Sequence, residues 1–185
     1  NAAIRMLESG AAIVDVGGES SRPGAEKISV EEEIARVVPV IKQIREKKPQ
    51  AVISIDTCNS VTAGAALAAG ADIVNDITGL RSGEMVEVVS QSDAAVIIMH
   101  MRGNPSTMSQ MTDYVDVVEE VSSWLVERAQ RAIESGIRRD RIILDPGIGF
   151  AKTAEQSIEM LRNVDRFLQL GFPLLVGHSR KSFIA

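Results

Sequence analysis

Four times along this chain a helical, often charged stretch ends in glycine and is followed within a few residues by a short apolar run. The joints are Glu8-Ser9-Gly10 before Ala12-Ile13-Val14, Ala69-Gly70 before Ile73-Val74, Ser135-Gly136 before Ile142-Ile143-Leu144, and Leu170-Gly171 before Pro173-Leu174-Leu175-Val176. Glycine just past a helix takes up the left-handed conformation without a Cβ clash, so each joint reads as a helix-to-strand connection. Two further runs, 51–55 and 94–99, complete six candidate strands. All six are nearly continuous apolar segments, as expected of strands covered on both faces of a parallel sheet. Between them lie helical patterns, clearest in Tyr114, Val117, Val118, Val121, Trp124, Leu125, Ala129, Ala132 and Ile133, which share one face at spacings of three and four. Residues 1–10 read as the last turns of a helix already under way, with no initiator Met and no signal-peptide pattern.

No Gly/Ser-rich linker or low-complexity tract interrupts the alternation, so residues 1–185 read as one α/β domain. Two architectures compete for it. A doubly wound sheet holding a dinucleotide wants G-x-G-x-x-G after its first strand, whereas here that strand runs into Gly17-Gly18-Glu19-Ser20-Ser21-Arg22-Pro23-Gly24. Polar residues instead stand at the end of every strand: Asp15, Asp56, Asn75-Asp76, His100, Asp145 and His178-Ser179. Functional groups gathered from the ends of many strands mark the top face of a (β/α)8 barrel. The expectation is a TIM-type barrel of which this chain supplies about six of eight units, since such barrels typically need about 250 residues.

Composition narrows the partners. Lys+Arg number 20 and Asp+Glu 25, a formal charge of −5 that repels phosphate backbones and anionic lipid, so neither nucleic acid nor a membrane surface is expected. Aromatics make up only 3%, which argues against stacking platforms for single strands. The apolar runs fall far short of the roughly 20 residues that span a bilayer. A single cysteine, Cys58, closes no internal disulfide and points to a reducing, cytoplasmic setting.

Several segments carry chemistry. In residues 17–24 the glycines allow tight backbone angles, so hydroxyls and the Arg22 guanidinium can be offered to an anion; a surface turn with a solvated Arg is the plainer alternative. Asp56 and Asp145 emerge where apolar strands end. With Asn75-Asp76 they form a set able to grip the edge of an amidine-like heterocycle, or else they cap the turns that follow. Phe150 lies in the Gly-rich loop Asp145-Pro146-Gly147-Ile148-Gly149-Phe150, where it covers a ligand ring or anchors the loop. Gly177-His178-Ser179-Arg180-Lys181 reads as the opening of a helix and an anion site, or as a capped helix with solvated cations. His100 and His178 lack paired metal-ligand spacing, so a metal-dependent hydrolase with Asp56 and Asp145 is the weaker reading. Cys58 has no evident partner base and reads as a small buried or rim residue.

Taken together, these segments resemble the dihydropteroate synthase family of pterin-binding enzymes. The matching motifs are DVGGESSRPGA (15–25), SIDT (54–57), VNDI (74–77), IMHMRGNP (98–105), LDPGIGFAKT (144–153) and VGHSRKSFI (176–184). The resemblance implies a (β/α)8 barrel that condenses dihydropterin methyl diphosphate with 4-aminobenzoate. It implies that Asp56, Asn75, Asp145 and Lys181 bind the pterin, with Met99 and Gly177 lining its faces. Asp56 and Lys181 would be the catalytic pair, Asp56 stabilising the pterin methyl cation left as diphosphate departs. Ser21 matches a family threonine that contacts diphosphate. Arg22, Pro23, Phe150 and Ser179 would form the 4-aminobenzoate pocket, where sulfonamides compete. Mg2+ is expected, its ligand lying on a first strand that this chain lacks together with the last; no residue of the chain itself is assigned to a metal. A cytoplasmic homodimer is implied for the intact enzyme, whereas residues 1–185 alone are expected not to turn over. A corrinoid-dependent methyltransferase of the related family would lack SSRPG and HSRK. A non-catalytic pterin-binding paralogue would share the pterin half of the site.

Overall fold

A computed structural model describes residues 2–20, 28–179 and 181. Strands β1 (Ile13–Gly17), β2 (Val52–Asp56), β3 (Ile73–Asp76), β4 (Ala95–Met99) and β5 (Ile142–Asp145) form one sheet. Each strand pairs in parallel with its predecessor, in the order β1-β2-β3-β4-β5. A doubly wound sheet reverses its strand order partway; an unreversed run of parallel neighbours is a segment of a barrel wall. The helices are α1 (Ala2–Glu8), α2 (Val30–Lys47), α3 (Ser60–Ala68), α4 (Gly83–Ser90), α5 (Val117–Glu134), α6 (Ala154–Arg162) and α7 (Val164–Leu168). The opening helix agrees with the reading of residues 1–10, and Gly10, Gly70, Gly136 and Gly171 all have positive φ, as the four joints require.

The expected sixth strand is reduced to a single parallel bridge, Leu144 to Leu174. Leu144 N–H donates to Pro173 O and Leu175 N–H to Leu144 O, both at 2.9 Å, so the segment lies in register beside β5. Pro173 has no N–H to extend the ladder, and the segment pairs on one side only among the described residues. A second correction concerns Tyr114, which precedes α5: Asp116 caps that helix by accepting from Glu119 N–H at 2.9 Å. The Tyr114 ring instead lies under the Arg102 guanidinium, 3.7 Å from its centroid.

Strand side chains alternate between two faces. Val14, Val16, Ile53, Ile55, Val74, Val96, Ile98, Ile142 and Leu144 are buried in one cluster with Val37, Ile41, Ala66, Met85, Val121, Leu125 and Phe167 of the helices. The other face, the barrel interior, carries Asp15, Ser54, Asp56, Ile73, Asn75, Ile97, Met99, Ile143 and Asp145. Burial on both faces holds for β3, β4 and β5, but β1 alternates exposed and buried, because among the described residues only its helix side is covered.

Candidate active site

The alternation of side chains sorts the strand-end residues into two groups. Asp56 and Asn75 are register partners on β2 and β3, as are Met99 and Asp145 on β4 and β5, and all four project into the interior at the C-terminal rim. Asn75 Nδ2 donates to Asp15 Oδ2 at 3.3 Å across the intervening strand. Among the described residues its Oδ1 is buried with no partner, as is Ser54 Oγ one row below. A buried acceptor left open is costly, so this amide is shaped to receive a donor.

The neighbouring residues Asp76, Thr57 and His100 fall on the opposite face and serve the fold. Asp76 Oδ1 accepts from Thr78 N–H at 2.8 Å and Thr78 Oγ1 at 2.7 Å, and its Oδ2 accepts from Leu80 N–H at 3.0 Å. It caps its own turn and leaves the heterocycle set expected from Asn75-Asp76. Thr57 Oγ1 and Thr62 Oγ1 donate to the two oxygens of buried Glu33 at 2.7 and 2.6 Å, which ties α2 and α3 to the turn beyond Asp56. His100 stands edge-on to Trp124, with ring centroids 4.9 Å apart, and its Nδ1 meets Lys152 Nζ at 3.0 Å. Burial, reinforced by the Lys152 and Arg102 charges, pushes its pKa down to about 2, and the ring is neutral. The metal-ligand role considered for His100 is therefore closed by geometry: Nδ1 is taken and the ring lies behind the sheet. Cys58 is exposed at the rim, yet desolvation of its thiol and the Asp76 and Asp56 charges push its pKa up, which leaves it protonated and unreactive.

The rim is rich in carboxylates. Burial first, then the charges of Asp15, Asp76, Glu33 and Glu19, raise the Asp56 pKa to about 7. Burial raises that of Asp145 to about 6, against the opposing pull of the Gly147 N–H, Lys181 and Lys152. Gly147 N–H donates to Asp145 Oδ1 at 2.7 Å, so one oxygen is committed to the turn, as capping would have it. No described residue hydrogen-bonds the Asp56 carboxylate. Two desolvated carboxylates and an open amide acceptor across one end of the interior suit a flat, donor-rich, electron-poor ring.

The loop after β5 is closed by two lysines. Lys181 Nζ lies 4.2 Å from the centroid of the half-buried Phe150 ring and donates to Ile148 O. Burial lowers its pKa, opposed by the charge of Asp145. Lys152, behind the loop, donates to Gly147 O at 3.1 Å and Phe150 O at 2.9 Å besides meeting His100. Gly149 has φ +77°, and a Cβ there would stand 2.9 Å from Lys181 Cδ. Phe150 packs against the cluster of Ile77, Met99, Met101, Met108 and Ala151, so it anchors the loop while one face meets Lys181.

Of the other residues expected from sequence, Gly177 and Ser179 are exposed beyond the bridge segment. Ser21, Arg22 and Pro23 lie outside the described residues, as does the helix expected from 182 onward. Lys152 was not singled out in sequence, although it stands inside LDPGIGFAKT, next to the cap of α6. A cation one residue before a helix N-cap carries the same signal that drew attention to Lys181. Among the described residues no group of three or more His, Cys, Asp or Glu side chains is arranged to hold a metal ion, and no helix is long and apolar enough to cross a membrane.

A partial (β/α)8 wall whose interior rim presents desolvated carboxylates, an open amide and a lysine-clamped aromatic loop defines a barrel with a polar site at the C-terminal ends of its strands. The sequence comparisons narrow this. Residues 1–185 match the family model described as pterin binding enzyme, and the chain belongs to that family. It is 49% identical over 180 residues to the dihydropteroate synthase of Synechocystis sp., covering 97% of this chain and 62% of the relative. It superimposes on the Xanthomonas albilineans dihydropteroate synthase solved with 4-aminobenzoic acid at a TM-score of 0.91, with 40% identity over 98% of this chain and 64% of that one. The Yersinia pestis dihydropteroate synthase, solved as a sulfonamide drug complex, gives a TM-score of 0.95 at 35% identity, over 98% and 66%. The resemblance read from the six motifs thus holds along nearly the whole chain, which spans somewhat less than two thirds of the Synechocystis relative.

Proposed function

We propose that this chain is the pterin-binding core of a dihydropteroate synthase, a transferase that joins 6-hydroxymethyl-7,8-dihydropterin diphosphate to 4-aminobenzoate with loss of diphosphate. The observation that carries the reading is the pairing of Asp56 with Asn75 in register, with Asn75 Oδ1 buried and open, opposite Asp145 on the same interior face. In this reading the Asp145 carboxylate accepts from the exocyclic amine and ring N–H of the pterin, and Asn75 Oδ1 accepts a further N–H. Lys181 donates to the ring carbonyl and a ring nitrogen. Met99 and Gly177 line the ring faces. As diphosphate leaves, positive charge develops on the pterin methylene. Asp56, ionised once a cationic ring screens it from Asp15, Asp76 and Glu33, stabilises that charge without reorganising. The arylamine then attacks the methylene from a pocket made by Arg22, Pro23, Phe150 and Ser179, and loses its proton as the new C–N bond forms. Ser21 faces the diphosphate.

In this reading Mg2+ accompanies the departing diphosphate, and its protein ligand is assigned to none of the described residues. The same reading makes the intact protein a cytoplasmic homodimer that takes small-molecule substrates rather than nucleic acid or membrane. Sulfonamides, by the shape they share with 4-aminobenzoate, should compete for the Phe150 pocket. The test is condensation by the intact protein, followed as diphosphate release and dihydropteroate formation. Turnover that is competitive between sulfonamide and 4-aminobenzoate is expected. In Arg22→Ala, 4-aminobenzoate affinity should fall more than pterin affinity. Pterin binding with no condensation would instead identify a non-catalytic paralogue.

A further inference from the structure

Lys152 is a buried lysine, and among the described residues no carboxylate pairs with it. Its Nζ is held by three acceptors on two strand ends: His100 Nδ1 at 3.0 Å beyond β4, and Gly147 O at 3.1 Å and Phe150 O at 2.9 Å beyond β5. An ammonium has three N–H donors, so this arrangement satisfies it fully. The same two strand ends are joined at the main chain, where His100 N–H donates to Asp145 O at 2.9 Å. We propose that Lys152 is a positioning residue for ligand binding: its three-way clasp fixes the 146–150 loop so that Asp145 and Phe150 face the ligand together. The identity of the ligands rests on the function proposed above; the clasp itself does not.

Two consequences separate this role from plain structural support. The first is steric. Without the clasp, Phe150 O loses its lysine donor and only the turn bond from Phe150 N–H to Gly147 O, at 3.0 Å, ties its backbone to the loop, so the arylamine pocket suffers before the pterin edge does. The second is electrostatic. Burial pushes the Lys152 pKa down to about 7; of the groups facing it, Asp145 from β5 favours the ammonium and Lys181 and Arg102 disfavour it, with neutral His100 and the Tyr114 ring, 6.0 Å away, completing the surround. By reciprocity the Lys152 charge pulls the Asp145 pKa down, against the burial that raises it. Removing it must raise the pH at which the Asp145 carboxylate becomes available.

The experiment uses the intact protein as wild type, Lys152→Met and Lys152→Arg. A dihydropterin analogue is titrated calorimetrically from pH 5 to 8, and KM for 4-aminobenzoate and kcat are measured at pH 6.5, where Lys152 is an ammonium. Lys152→Met is expected to raise KM for 4-aminobenzoate at least tenfold with a smaller change in kcat. It should also move the acid limb of pterin affinity up by at least half a pH unit. Lys152→Arg restores the limb, because it keeps the charge. If Lys152→Met does not fold, the pair His100→Gln, which retains an acceptor for Nζ, and His100→Leu, which removes it, replaces it: the KM rise should appear in His100→Leu and be at least halved in His100→Gln. Amide exchange at Gly147 and Phe150, relative to β5, reads the clasp without substrate and should be at least tenfold faster in Lys152→Met or His100→Leu. An absence of pterin binding in the wild type would count against the proposed function alone, and the exchange rates would still decide the clasp. Unchanged exchange, or an unmoved limb together with unchanged KM in folded variants, overturns the inference.

Discussion

The carbonyl oxygen of His100 occupies the space that a β-carbon on Gly147 would need, 1.9 Å from its ideal position, and Gly147 itself stands at φ +67°. The end of β4 and the loop after β5 are thus fitted at a point where only a hydrogen fits. Gly147→Ala combines left-handed strain with a backbone collision that no side-chain rotation relieves. It should destabilise the protein by at least about 3 kcal/mol. Urea unfolding is the check, and a loss under about 1 kcal/mol would show that the two segments part easily.

The raised carboxylate pKa values predict a trade of stability for function. Asp56 and Asp145 titrate near 7 and 6 in the fold, against 3.8 as ordinary aspartates. Over that window the folded state binds more protons than the unfolded one, so each carboxylate costs stability as pH rises through it, and the cost is full above the folded pKa. Asp56→Asn should therefore stabilise the ligand-free protein at pH 8, by on the order of 1–3 kcal/mol, while impairing turnover. The gain should shrink toward pH 5, where the wild-type carboxyl is protonated. Melting curves of wild type and Asp56→Asn at pH 5, 6.5 and 8 test this; a variant less stable than wild type at pH 8 would show that the Asp56 carboxylate has a compensating partner.

Much of the fold was legible in the sequence because it repeats. The glycine joints and apolar runs gave the parallel strand order, and the polar strand ends gave the rim. What the linear pattern obscured was the face on which adjacent polar residues fall. Asn75 and Asp76 read as one acceptor set, yet strand alternation sends Asn75 to the interior and Asp76 behind the sheet to cap its own turn. Met99 and His100 divide the same way. Lys152 offered only its place before the α6 N-cap, because its partners, a histidine ring and two carbonyls, mark no pairing in sequence. Pro173 hid the end of regular pairing, because an apolar run looks like a strand whether or not its ladder can continue.

Glu33 shows what holds the turn beyond Asp56 in place. It is 5% exposed and accepts from Thr57 and Thr62, with Gly18 close against its side chain. Glu33→Ala leaves two buried hydroxyls without acceptors and opens a void, and should cost about 2–4 kcal/mol. Glu33→Gln, which keeps one carbonyl acceptor, should cost less. Paired chemical denaturation of the two variants decides between this and a dispensable surface glutamate; equal and negligible losses would reject this role for Glu33.

In the proposed function the interior rim of β2, β3 and β5, closed by Lys181, grips a pterin. Calorimetric titration of the intact protein with a dihydropterin analogue at pH 8, as wild type, Asp145→Asn and Lys181→Ala, tests it most directly. Each removed charge-assisted hydrogen bond should cost about 1.5–3 kcal/mol. That corresponds to a loss of affinity of about 10- to 150-fold in each variant, with the fold retained by circular dichroism. Wild-type affinity in both folded variants would contradict the claim and remove Asp145 and Lys181 from the site.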